Sequence, residues 1–288
     1  MKSCFLKAYG KINLGLDVIR RREDGYHEVK MVMQTVNLYD TIFMKAIRKE
    51  DIIIKTNKPY LPVNENNIIY KAIAMLQKDY NLPGGVFVDL RKQIPVAAGM
   101  AGGSANAAAT LIGMDKIYRL NLSMDQLMEY GVKLGADVPY CIMRGTALAE
   151  GIGEKLTRIP SMPECQIVIA KPDISVSTKT VYQSLKLDSI MHPDVDGIIK
   201  GLEEKDLEKI CSLLGNVLED VTVEKHLVVE EYKSFLRNEG AINSLMSGSG
   251  PTVFGIFTEK EKAKEAASKL KNAYPSAQVH VTRPFNVS

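Results

Sequence analysis

A proline-led, glycine-rich stretch, Pro95-Val96-Ala97-Ala98-Gly99-Met100-Ala101-Gly102-Gly103-Ser104, runs straight into the alanine-rich segment Ala105-Asn106-Ala107-Ala108-Ala109. The apolar and β-branched residues before it, Val86, Phe87, Val88 and Leu90, read as a strand. The order is therefore strand, flexible loop, helix. That order aims backbone N–H groups and the positive end of a helix at one place, and an anion, most naturally a phosphate, fits there. Glycines that only permit tight turns, followed by alanines that let a helix pack closely, would use the same residues.

Spacing excludes the two commoner phosphate loops and the folds they imply. A P-loop needs Gly-x-x-x-x-Gly-Lys-Ser/Thr, and no Gly-Lys-Ser/Thr occurs in the chain. A dinucleotide fingerprint needs Gly-x-Gly-x-x-Gly near the start of a βαβ unit, whereas Gly99 is followed by two non-glycines and then paired glycines.

The 288 residues, 45% hydrophobic, suffice for one large domain or two ordinary ones. Thirty-seven basic against 34 acidic residues leave a formal charge of +3, too small and dispersed to argue for nucleic acid or a membrane surface. A small-molecule partner is expected. Lys2, Lys7 and Lys11 interrupt what would have to be a signal peptide's apolar core, and no run of eighteen apolar residues occurs, so a cytoplasmic location is expected. Cys4, Cys141, Cys165 and Cys211 lie far apart, as do His27, His192, His226 and His280. Neither a disulfide framework nor a zinc site is suggested. Any metal would be held by oxygen ligands and phosphate, with magnesium the natural candidate.

Residues 3–20 and 28–45 read as extended segments joined by a turn at Asp24-Gly25, and Asp51 to Thr56 adds a short strand. From Asn64 onward Ile68, Ile69, Ala72, Met75 and Leu76 recur at helical spacing, with Asn64 or Asn66 placed to cap. Helices over 103–118 and 123–134 follow the glycine loop, the second with Ser123 as N-cap. Pro160-Ser161-Met162-Pro163 cannot continue a helix or a central strand. We divide the chain there, into 1–160 and 161–288. The second part reads as a strand at 166–170, helices between 178 and 236, a strand pair at 242–246 and 252–257, a charged helix near 259–270 and a last strand ending near Val281. Both parts are α+β.

Ser247-Gly248-Ser249-Gly250-Pro251 lies in that strand pair. It is either a plain hairpin turn or a place where the backbone approaches a ligand or the first loop. Lys11 and Asn13 alternate with Ile12 and Leu14, as on the solvated face of an edge strand. Asp137, two residues before Pro139, could simply cap or start a turn.

In combination these elements resemble a known family. Lys11-Ile12-Asn13-Leu14, the Pro95-to-Ala108 loop, Gly135-Ala136-Asp137-Val138-Pro139 and Gly248-Ser249-Gly250 occur in the order and spacing of the GHMP small-molecule kinases. Asp24-Gly25-Tyr26-His27 after Arg21-Arg22, with Ala101-Gly102-Gly103-Ser104, resembles the branch of that superfamily acting on a cytidine diphosphate-linked methylerythritol in non-mevalonate isoprenoid synthesis. Homoserine-, mevalonate- or sugar-type kinases of the superfamily are the alternative, and a non-catalytic ligand sensor on the same scaffold is a further one.

The resemblance implies an α+β, two-domain GHMP kinase fold, with an N-terminal ribosomal protein S5 domain 2-like part and a C-terminal ferredoxin-like part. It implies Lys11 and Asp137 as the catalytic pair, with either Asp137 taking the hydroxyl proton while Lys11 keeps it ionised and stabilises the developing alkoxide or the transferring phosphoryl group, or Lys11 mainly lowering the pKa of the hydroxyl. ATP phosphates would lie along Pro95, Val96, Ala97, Ala98, Gly99, Met100, Ala101, Gly102, Gly103, Ser104 and Ala105, with Asn67 near adenine and Ser104 beside Mg2+. Asn13 would bind the methylerythritol moiety, and Tyr26, His27 and Tyr182 the cytosine. Gly248, Ser249 and Gly250 would be the supporting loop. Ala105 stands where many members carry a second serine, and Tyr9-Gly10 precedes Lys11 where others carry Pro-Ala.

Overall fold

The computed structural model describes residues 2–287. Contacts divide it into two compact units that interleave along the chain. One comprises the chain up to Gly10, Tyr39–Val96 and Ala101–Met143; the other comprises Lys11–Leu38, Ala97–Met100 and the chain from Arg144 onward.

Two long strands, β1 (Ser3–Arg21) and β2 (His27–Ile47), run through both units. In the first unit β2 pairs antiparallel with β4 (Gly85–Arg91) through Thr41↔Arg91 to Ile47↔Gly85. β3 (Ile52–Thr56) adds a parallel edge on β4, giving the order β3-β4-β2-β1. Four helices belong to this unit: α1 (Ile68–Tyr80), α2 (Gly102–Tyr118), α3 (Met124–Leu134) and α4 (Val138–Met143).

Local chemistry sets most of these boundaries. The side chain of Asn67 caps α1, accepting from Ile69 N at 2.9 Å and donating to Pro62 O at 2.6 Å. The cap is thus Asn67 rather than Asn64 or Asn66. Asn64 is used one turn earlier, where its side chain and carbonyl accept from Asn66 N and Asn67 N. Ser123 and Gln126 form a reciprocal capping box on α3. α4 was not expected from the sequence. Its proline, Pro139, sits in the first turn, where a missing N–H costs nothing, and all six of its residues are buried.

In the second unit the first half of β2 pairs with β5 (Thr146–Gly151), which pairs with β6 (Lys155–Arg158). Sequence reading missed this hairpin; its Thr, Ala and Lys residues give no apolar run. β8 (Gly215–Asn216) pairs parallel with β1 at Gly15↔Gly215 and Leu16↔Asn216. A second, antiparallel sheet has the order β11-β7-β10-β9, from β7 (Gln166–Lys171), β9 (Asn243–Met246), β10 (Val253–Phe257) and β11 (Gln278–Thr282). Helices α5 (Thr178–Ser184), α6 (Val195–Glu204), α7 (Leu207–Ser212), α8 (Glu219–Lys225), α9 (Val228–Asn238) and α10 (Lys260–Ala273) complete the unit. β7 and β10 are central strands of this sheet and are almost wholly buried, hence their continuous apolar runs. The mixture of sheets and segregated helices is α+β. Among the described residues no helix is long and apolar enough to cross a membrane.

Candidate active site

Lys11 and Asn13 share one face of β1, as strand alternation requires, but that face is not solvated. Lys11 is 5% exposed and Asn13 is fully buried. β1 has β2 on one side and β8 on the other, so the edge-strand reading fails. The Lys11 ammonium donates to Asn13 Oδ1 at 2.7 Å and to the carbonyl of Gly99 at 3.1 Å. Lys11 N also donates to Met100 O at 3.1 Å, which ties the strand to the glycine loop by its backbone. A buried ammonium needs partners; here two neutral oxygens fix its position and leave its positive charge uncompensated by them.

The loop itself is backbone-shaped. Ala97, Gly99 and Ala101 have φ of 50°, 69° and 53°, three left-handed residues at alternate positions. Two of them are alanines, which adopt this region at a cost of about 1–2 kcal/mol each, and such cost persists where the surroundings over-determine the backbone, often at ligand clamps. A Cβ on Gly99 would overlap the carbonyl oxygen of Ser247, so only glycine fits. Helix α2 then starts at Gly102 with no side-chain cap, unlike α1 and α3, and with no acidic residue in its first turn. Its first N–H groups and its positive end are thereby left to a guest. Ser104 is half-buried in that first turn, and Ala105 is buried.

The second glycine loop meets the first. Ser247 Oγ donates to Gly99 O at 3.0 Å, so this carbonyl accepts from both Lys11 and Ser247. Gly248 and Gly250 have φ of 58° and 79°, and Gly250-Pro251 is cis. Ser249 Oγ and Thr178 Oγ1 lie 2.8 Å apart, joining this loop to the start of α5.

Tyr182 on α5 faces His27 at the start of β2, with ring centroids 5.2 Å apart. Burial lowers the pKa of His27, with a smaller contribution from Arg21, which favours the neutral, donor-plus-acceptor ring. The Asp24 carboxylate accepts from Tyr26 N at 3.0 Å and from Arg22, and this turn presents Tyr26 with 60% exposure. His27 and Tyr182 thus come together, with Tyr26, next to His27 in sequence, exposed.

Asp137 is half-buried and immediately precedes α4, its carbonyl accepting from Cys141 N at 3.1 Å. The following Val138 packs against Gly131 of α3, which fixes where the aspartate leaves the helix pair.

Comparison with known proteins shows the family of the chain. The GHMP kinases N-terminal domain matches residues 67–145 and the GHMP kinases C-terminal domain matches 198–276. The 4-diphosphocytidyl-2-C-methyl-D-erythritol kinase of Lachnospira eligens is 56% identical over 286 residues, 99% of each chain. This chain belongs to the 4-diphosphocytidyl-2-C-methyl-D-erythritol kinase family. A second member, from Lachnoclostridium phytofermentans, is 52% identical over 97% of each chain. A crystal structure of 4-(cytidine 5'-diphospho)-2C-methyl-D-erythritol kinase superimposes with a TM-score of 0.84 at 29% identity, covering 98% of this chain and 100% of the other. The homoserine kinase of Cytophaga hutchinsonii, at 18% identity and a TM-score of 0.76 over 98% and 95%, shares the fold.

One cluster in this family member escaped sequence reading. Asp40, Lys92 and Asn106 are all buried, Asn106 in α2 itself and Lys92 next to Gly102 at its start. Lys92 pairs with Asp40 and donates to Asn106 Oδ1 at 3.1 Å, while Asn106 Nδ2 donates to Asp40 at 2.8 Å. The other Asp40 oxygen accepts from Gln93 N and Ile94 N, the residues leading into the glycine loop. The available signal was a lone asparagine within an alanine run. Asn67, by contrast, has both ends of its amide engaged, Oδ1 in capping α1 and Nδ2 on Pro62 O of the preceding loop.

Proposed function

We propose that this protein transfers the γ-phosphoryl group of ATP to the 2-hydroxyl of 4-diphosphocytidyl-2-C-methyl-D-erythritol, giving the 2-phosphate, as an enzyme of non-mevalonate isoprenoid synthesis. Full-length kinship with kinases of that name carries the proposal. Phosphoryl transfer asks a protein mainly for positioning and charge neutralisation, and the residues of this chain divide those tasks.

In this reading ATP phosphates lie along Gly99 to Ser104 and against the uncapped start of α2. Asp137 takes the proton from the acceptor hydroxyl. Lys11 stabilises charge on the transferring phosphoryl group and the developing alkoxide; its placement against neutral oxygens only, Asn13 Oδ1 and Gly99 O, supports that role. Asn13 recognises the methylerythritol moiety. Tyr26, His27 and Tyr182 hold the cytosine, supported by the His27–Tyr182 pair.

Magnesium fits the donor set as a companion of ATP. Among the described residues no group of three or more His, Cys, Asp or Glu could hold a metal, so phosphate oxygens and water would supply most ligands, with the Ser104 hydroxyl at hand. When bound, the cation neutralises phosphate charge. We also keep the division into 1–160 and 161–288, supported by the two matching family domains falling on either side of it. The proposed location is the cytoplasm, with small-molecule partners only.

The decisive experiment measures ADP release with Mg-ATP and each acceptor in turn. Turnover with the cytidine-linked acceptor is expected. Turnover confined to homoserine, mevalonate or a sugar overturns the substrate assignment, and binding without turnover on all of them indicates a sensor.

A further inference from the structure

Asn216 is a buried amide, 8% exposed, that sequence reading did not single out. Its Nδ2 donates to two carbonyls of the second glycine segment, Met246 O and Gly248 O, each at 2.8 Å. Its Oδ1 accepts from Leu218 N at 3.0 Å. Every hydrogen-bonding site on the side chain that faces these neighbours is used, and only an amide offers two donors and an acceptor in that geometry.

The residue also sits where the chain pairs with β1. It stands opposite Leu16 in the β1–β8 ladder, and Val217 N donates to Leu16 O at 3.1 Å. β1 is the strand that carries Lys11 and Asn13. A closed circuit results. From Lys11 it runs along β1 to Leu16, across to Asn216, through its amide to Gly248 and the adjoining Ser247, from Ser247 Oγ to Gly99 O, and from Gly99 O back to the Lys11 ammonium. A Cβ on Gly248 would lie 3.1 Å from Gly99 O and 3.4 Å from Lys11 Nζ, so the second loop touches both ends of that last link.

We propose that Asn216 is a positioning residue for Lys11: by gripping Gly248 from the strand next to β1, it holds Ser247 and Gly99 where the Gly99 carbonyl can fix the Lys11 ammonium. The proposal rests on the assignment of Lys11 to phosphoryl transfer. Asn216 does not touch the reacting atoms in this scheme; it acts through the two glycine loops. Other polar contacts on the second loop, Thr222 Oγ1 to Ser249 O and Glu219 Oε2 from Met246 N, hold its flanks, whereas Asn216 alone holds Gly248 among the hydrogen bonds described.

The test replaces the amide by an isosteric group that cannot donate when ionised, Asn216→Asp, with Asn216→Ala as a second variant should the first not fold. Two readouts are taken on each. In steady-state kinetics kcat is expected to fall about tenfold or more while KM for the cytidine-linked acceptor stays within about twofold, since misplacing a reacting group by 1 Å can cost on the order of a hundredfold. In ligand-free protein the rate of reductive methylation at Lys11, read by mass spectrometry against surface lysines, is expected to rise about tenfold as local protection is lost. Lys11 methylation at the wild-type rate in both variants overturns the proposal. So does an equal loss of kcat and rise in KM with Lys11 still protected, which would mark Asn216 as merely structural. If the wild type fails to phosphorylate the acceptor, the kinase reading falls, and the methylation result still decides the role of Asn216.

Discussion

Gly103→Ala separates a phosphate cradle from a loop that merely turns. Gly103 is exposed, a Cβ built on it meets nothing within 4 Å, and its φ lies outside the left-handed region. It sits in the first turn of α2. Alanine there relieves the helix of a glycine, worth up to about 0.5–1 kcal/mol. In a chain of this size that corresponds to a rise in Tm of about 1–4 °C. If the loop only permits a turn, nothing else changes. If phosphates approach the backbone at Gly103, the new methyl group stands where an oxygen must come, and KM for ATP rises tenfold or more, about 1.4 kcal/mol per tenfold. Gly99→Ala is the matched control. There the Cβ overlaps Ser247 O at a φ of 69°, so left-handed strain of about 1–2 kcal/mol adds to overpacking of about 1–3 kcal/mol, and Tm falls. Thermal unfolding by calorimetry and ATP saturation curves report both effects. A Gly103→Ala protein with raised Tm and unchanged KM for ATP would refute the cradle.

Three further outcomes are expected. Asp137→Asn lowers kcat by about two to four orders of magnitude with KM for ATP little altered, the range for losing a general base; turnover within threefold of wild type removes Asp137 from that role. Because burial lowers the pKa of His27 from its ordinary 6.5, the fold favours the neutral ring, so its contribution is intact above pH 6.5 and is lost as pH falls through its depressed value. KM for the acceptor should therefore climb only below about pH 6.5, while KM for ATP does not follow; a climb beginning above that pH contradicts the assignment. Asn67→Ala removes the α1 cap and strands Pro62 O, costing about 1–2 kcal/mol, with an unchanged Tm refuting the capping argument.

The sequence by itself determined most of the local elements and the family they belong to. The β-rich make-up of 3–20 and 28–45 gave β1 and β2, and Ser123 as an N-cap gave the start of α3, because these signals act within a few residues. The order of Lys11, the glycine loop, Asp137 and Gly248 gave the family. It left α4 and the β5–β6 hairpin unseen, since a six-residue buried helix and short strands with small or charged residues have too little periodicity to detect.

What only the tertiary structure decided is whether each polar residue is solvated or held. Lys11 and Asn13 look alike on paper whether their face of β1 is solvated or covered, and it is the glycine loop lying against that face, with Gly99 O on the Lys11 ammonium, that accompanies their burial. Ser247 and Gly99, 148 residues apart, became partners only when two loops closed on each other. Asp40, Lys92 and Asn106 likewise carry no local signature as a cluster. Burial and long-range hydrogen bonds depend on which distant segments pack together, and that pairing follows from the free energy of the whole chain rather than from any window of it.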